Sequence, residues 1–109
     1  MDGPAAFQTL DLRVGRVVSA ERHPRARKPA YQLTIDFGPL GILNSSAQLT
    51  ELYLPDALVG RQVIAAMNLG ERNIAGFVSQ VLVLGLPDAD NRVVLLGPER
   101  EVPLGGRVY

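Results

Sequence analysis

The chain has one histidine and no cysteine, so the side chains that most often do acid–base or thiolate chemistry near neutral pH are almost absent. The histidine, His23, stands in the basic run Arg22-His23-Pro24-Arg25-Ala26-Arg27-Lys28. A lone His beside a proline in such a run reads as a solvated or turn residue rather than a catalytic base. The acids Asp11, Asp36, Glu51, Asp56 and Glu71 are scattered, without the spacing of a carboxylate metal loop. No H-E-x-x-H, no G-x-S-x-G and no glycine-rich phosphate loop ahead of a helix occurs. The expectation is a binding protein with no catalytic residues, no metal and no cofactor.

Binding chemistry has two sources. The first is a set of small polar residues that interrupt apolar stretches: Asn44, Ser45, Ser46 and Gln48 in one run, then Asn68, Arg72, and Ser79-Gln80. Hydroxyl and amide groups both donate and accept hydrogen bonds. Gathered on one face they would suit base edges, sugar hydroxyls or a peptide backbone. Equally, they could cap strand ends and satisfy turn backbone, and the residues alone favour that plainer reading. The second source is the basic patch Arg25, Arg27 and Lys28. Eleven basic and eleven acidic residues cancel to a net charge of zero, so any phosphate contact must be local rather than global.

The elements that would position these residues read as strands. Tyr31, Leu33, Ile35 and Phe37 alternate with Gln32, Thr34 and Asp36, the period of a half-buried strand. Gly38-Pro39-Leu40-Gly41 then breaks the chain and Ile42-Leu43 resumes it, as in a hairpin. Upstream, Leu12, Val14, Val18 and Ala20 keep one phase with Arg16 out of place, and the adjacent Gly15 suggests a bulge or bend there. Val63–Met67, Val81–Leu84 and Val93–Leu96 are continuous apolar runs and read as strands buried on both faces. Pro4–Leu10 and Leu49–Leu58 are the short helical prospects. At 109 residues the chain is one domain, 1–109, with a core of about 11–85. The expected fold is all-β: a five-stranded Greek-key barrel of the OB type with a short N-terminal helix and a C-terminal strand extension. The flanks 3–10 and 92–109 carry apolar residues that need cover. They either fold back over one barrel or pair in a dimer, through Phe7, Leu10, Val102, Pro103, Val108 and Tyr109. No apolar window approaches the ~20 residues of a membrane span, the N-terminus lacks a signal-peptide pattern, and the lack of cysteine fits a reducing compartment. A cytoplasmic protein without membrane insertion is expected.

Several segments resemble the tRNA-binding-domain family. Thr9-Leu10-Asp11-Leu12-Arg13-Val14-Gly15-Arg16-Val17 is similar to its D-[IL]-R-V-G-x-[IV] opening. Glu21-x-His23-Pro24-x-Ala26 follows, then Tyr53-x-Pro55-x-x-Leu58-x-Gly60, Val63 and Asn68-Leu69. Ile74-x-Gly76-x-x-Ser79-Gln80 completes the order, with Gln80 where the family usually has Glu. The run Asn44-Ser45-Ser46-Ala47-Gln48, with Ala75-Gly76-Phe77 and Val81–Gly85, resembles the export-related, CsaA-like chaperone branch. The resemblance favours the ligand-binding reading of the polar residues and the dimer reading of the flanks. It implies a homodimeric chaperone that binds unfolded export precursors and the translocation ATPase. The alternative it implies is a tRNA-binding module acting in trans with an aminoacyl-tRNA synthetase.

Overall fold

A computed structural model describes residues 2–109. Helix α1 (Gly3–Thr9) begins where the Asp2 carboxylate accepts from the Ala5 N–H at 2.8 Å, with a proline in its first turn. Strands β1 (Leu12–Arg22), β2 (Tyr31–Asp36) and β3 (Ile42–Ala47) follow, then the short helix α2 (Pro55–Leu58) and β4 (Gln62–Ala66). The rest of the chain is a series of short strands: β5 (Arg72–Ile74), β6 (Phe77–Ser79), β7 (Leu82–Val83), β8 (Gly85–Pro87) and β9 (Val93–Leu95).

The main sheet is antiparallel, in the order β3-β2-β1-β4-β7. It curls until its ends meet. The Asn44 carbonyl on β3 accepts from the N–H groups of Gln80 (2.8 Å) and Val81 (3.2 Å). Two side chains finish the seam: Asn44 N–H donates to Gln80 Oε1 at 3.0 Å, and Ser46 N–H to Ser79 Oγ at 2.9 Å. The result is the nearly closed barrel of the OB type, with helix α1 in front of it as the sequence suggests.

β2 supplies the centre of the core. Its alternation places Tyr31, Leu33, Ile35 and the following Phe37 inside, all fully buried, beside Val17, Leu58 and Val63. Each such side chain contributes about 1.5–3 kcal/mol by leaving water. The Tyr31 hydroxyl, sealed in this core, donates to the Tyr53 carbonyl at 2.7 Å, and the Tyr53 hydroxyl accepts from the Leu95 N–H at 3.0 Å. Buried polar groups are thus satisfied, and β2 is linked to β9.

Four expectations need correction. The register irregularity of β1 lies between Val17 and Ser19, not at Gly15. There the backbone of Val17 turns to a different neighbour, donating to Arg61 O (3.0 Å) and accepting from Gly60 N–H (2.8 Å). Val17 is consequently buried and Val18 is 42% exposed. Gly15 serves close packing instead: a Cβ there would lie 2.6 Å from Ile35 Cγ2 and 2.7 Å from the Phe37 ring. Second, Val81–Leu84 is not buried on both faces: Val81 is in the core, but Leu82 is 48% exposed. Third, β9 belongs to a two-stranded ribbon with β8, and Val94 faces outward. Fourth, the helix expected over Leu49–Leu58 is reduced to Pro55–Leu58 because Pro55 starts it.

The C-terminal segment returns to β1 of its own chain. Gly105 N–H donates to Val14 O (2.9 Å), Val14 N–H to Gly106 O (3.0 Å) and Val108 N–H to Leu12 O (2.9 Å). Its backbone is therefore covered within one chain, while Phe7, Val102, Pro103 and Tyr109 keep exposed side chains and Leu10 and Val108 are half-buried.

Candidate ligand-binding groove

One groove, with a cavity volume of about 510 Å³, opens where the β1–β2 loop, the end of β3 and the β5–β6 hairpin converge. Arg27 and Lys28 rise from the loop, Ser46 and Gln48 from β3 and its exit, and Arg72 and Ser79 from the hairpin. Ile74, Leu82, Val83 and Val93 make an apolar floor, and no acid lines it. The hairpin is shaped by Ala75 (φ 49°) and Gly76 (φ 93°), both left-handed, as a two-residue type I′ connection requires. Asn73 Oδ1 accepts from the Gly76 N–H at 2.8 Å and holds the turn.

Charge pairing elsewhere in the molecule singles this groove out. Arg13 and Arg107 pair with Asp11, Arg16 with Glu101, Arg92 with Asp88 and Asp90, and Arg100 with Glu99. Arg22 stacks over Tyr31, 5.6 Å from the ring centroid, and Arg61 over Tyr53 at 5.2 Å. Among the described residues, the cations with neither an acid nor a ring partner are Arg25, Arg27, Lys28 and Arg72. Three of them line the groove, and Arg25 reaches across to the hairpin turn, where its Nη2 lies against Gly76. A neutral protein thereby keeps a local positive field in a concave site, where attraction for anions is strongest.

The expected binding residues divide into three groups. Ser46, Gln48, Arg72, Ser79, Arg27 and Lys28 meet in the groove. Asn44 and Gln80 sit in the barrel seam, where Gln80 accepts from Asn44, and the fully buried Ser45 hydroxyl donates to the Ser46 carbonyl at 3.2 Å. The Ser79 hydroxyl also works for the seam, accepting from Ser46 N–H and donating to the Val81 carbonyl at 3.2 Å. Asn68 lies away from the groove. Its Nδ2 donates to the Thr9 carbonyl (2.7 Å) and its Oδ1 accepts from the Asp11 N–H (2.9 Å), fastening the end of α1 to β1. Sequence reasoning missed the floor: Leu82 and Val93 looked like core because their runs are continuous, and nothing in the run marks which side chain faces out.

A second cavity of about 740 Å³ adjoins the first and shares Lys28, Gln48 and Val93 with it. It extends to Gly85, Leu86 and Pro87 of β8 and contains Glu51, so its charge is mixed. Among the described residues no three acids or histidines gather as metal ligands, and no helix is long and apolar enough to cross a membrane.

Residues 12–107 match the family model described as a putative tRNA binding domain. The chain is 48% identical to the chaperone CsaA of Bacillus anthracis, covering 100% of this chain and 99% of that one, with a TM-score of 0.91. It is 40% identical to the CsaA chaperone of Picrophilus torridus, covering 100% of both chains, again with a TM-score of 0.91. It is also 37% identical over 102 residues to the methionine–tRNA ligase of Pyrococcus abyssi, and these cover 94% of this chain but 14% of the ligase. The chain thus spans about a seventh of the ligases it matches.

Proposed function

The chain belongs to the tRNA-binding-domain family, in its CsaA-like branch, and on that premise we propose that it is a chaperone-type binding protein whose groove holds unfolded export precursors. The observation that carries this reading is the open apolar floor beneath an acid-free cationic rim. An extended polypeptide can lay alternate apolar side chains on Ile74, Leu82, Val83 and Val93. Its carbonyls and acidic side chains then meet Arg27, Lys28, Arg72 and Gln48. Ser79 and Ser46 shape the wall, while Asn44, Ser45 and Gln80 support the groove by closing the barrel behind it. The work is binding, without catalysis or cofactor, in a cytoplasmic setting, by a homodimer joined through the faces of Phe7, Leu10, Val102, Pro103, Val108 and Tyr109. Docking to the translocation ATPase goes with the same reading. The folded protein should slow aggregation of an unfolded export precursor at stoichiometric ratio, and Leu82→Asp should weaken that protection. A folded wild type that gives no protection would remove the proposal.

A second reading, a tRNA-binding module serving a synthetase in trans, is favoured by the four unpaired cations. Phosphate contacts release counterions, so tRNA retention should fall as salt rises. The double variant Arg27→Ala/Lys28→Ala should flatten the log–log salt slope by roughly 1–2. Equal slopes in both proteins would separate the basic loop from RNA binding.

A further inference from the structure

His23 is not a solvated loop residue. It is 8% exposed and touches both sides of the groove. Its Nε2 lies 2.6 Å from the carbonyl oxygen of Ile74 on β5, and its Nδ1 lies 3.1 Å from the backbone nitrogen of Arg25. A carbonyl can only accept and a backbone N–H can only donate. Nδ1 therefore accepts from the Arg25 N–H, and Nε2–H donates to the Ile74 carbonyl. The ring also meets Phe77 of β6 edge-on, with centroids 6.1 Å apart.

Little else restrains the loop. His23 N–H donates to the Ala30 carbonyl at 2.9 Å and closes its neck. Beyond that neck, residues 26–29 make no hydrogen bond or ion pair among the described residues. Arg27 and Lys28 thus stand on a segment tethered to the opposite, Arg72-bearing wall mainly by one imidazole and by Arg25 lying against Gly76.

We propose that His23 is the positioning residue of this groove: through its bond to the Ile74 carbonyl it sets the spacing between the Arg27/Lys28 arm and the Arg72 arm, and so the ligand the groove accepts. The inference rests on the groove being the ligand site. A fixed spacing matters because a site held in its binding geometry does not spend binding energy on ordering itself.

Two amide substitutions separate the two bonds of the ring. His23→Asn places an acceptor near the old Nδ1 position and keeps the loop bond to Arg25, but it is too short to reach Ile74. His23→Gln places an N–H donor near the old Nε2 position and keeps the bond to Ile74. Because the chain has no cysteine, spin labels on Ala26→Cys and Val78→Cys report the loop-to-hairpin distance without background. The wild type and His23→Gln should give one narrow distance distribution, and His23→Asn a broad one. Imidazole nitrogen shifts in the wild type should report a single Nε2–H tautomer. Affinity for bulk tRNA, or for an unfolded export precursor, should fall about tenfold in His23→Asn and recover in His23→Gln, with circular dichroism unchanged in both. Narrow distances in both variants, equal broadening in both, or an Nδ1–H tautomer would each overturn the proposal. If the distances respond as expected while neither probe's affinity changes, the positioning role stands and the assignment of the groove as the ligand site falls.

Discussion

Gly15 shows how much can depend on one missing methyl group. Its neighbours Ile35 and Phe37 occupy the space that a Cβ would need, at 2.6 and 2.7 Å, and both belong to the fully buried centre of the barrel. Gly15→Ala should therefore destabilise the fold by about 1–3 kcal/mol through overpacking, read as a lower denaturant midpoint with an unchanged slope. An unchanged midpoint would mean that the core has slack at this point. The sequence marked Gly15 as special and could not say why, because a glycine needed for a bend and one needed for close packing look the same in one dimension. The small polar residues posed the same problem. Asn68 and Gln80 have the composition of a ligand site, yet their side chains are engaged with backbone groups elsewhere in the chain. Only a partner 36 to 59 residues away in sequence separates the two cases.

Among the elements, β2 was the easiest to read. One face of Tyr31–Phe37 meets the core and the other does not, and the alternation records that difference residue by residue. The later runs failed as guides because neighbouring residues of a short strand face opposite ways even where the run is continuously apolar, as Val81 in the core and Leu82 outside it do. The β8–β9 ribbon also has a chemical dependence of its own. The Arg92 backbone N–H, 2.8 Å from Asp88 Oδ1, is the first reason the Asp88 carboxyl sits below its ordinary value of 3.8, and the Asp90 N–H and Arg92 guanidinium add to it. A lowered folded value means the stabilisation is complete above the unfolded value. It fades as pH falls through the lower folded one. Acid titration should therefore loosen this turn first at low pH, seen in the Asp90 and Arg92 amide resonances, and Asp88→Asn should remove the dependence. Amides that do not move between about pH 5 and 2 would contradict this.

For the whole molecule, the net charge of zero concealed the site. Among the described residues, arginines elsewhere are held by acids or rings, and the four cations that remain sit around one groove. The sum over residues is blind to that arrangement, whereas the order of motifs along the chain pointed to the family and so to the barrel. The exposed apolar side chains of Phe7, Val102 and Tyr109 have a consequence of the same scale. Phe7 is 44% and Val102 38% exposed, and a proposed partner copy would cover them. Sedimentation should show a dimer at micromolar concentration, and Phe7→Glu/Val102→Glu should shift it to a folded monomer. A wild type that stays monomeric at every concentration would rule out that contact.

The return of the last segment to β1 also orders events during synthesis. Ninety-two residues separate Arg13 from Gly105, whose carbonyl it holds. During synthesis the leading part of β1 must wait with one edge open until the segment around Gly105 to Val108 has been made. Closures across such long stretches of chain are slow to form. Until that segment arrives, the Leu12 and Val14 backbone groups that it pairs with stay unpaired and present an open strand edge.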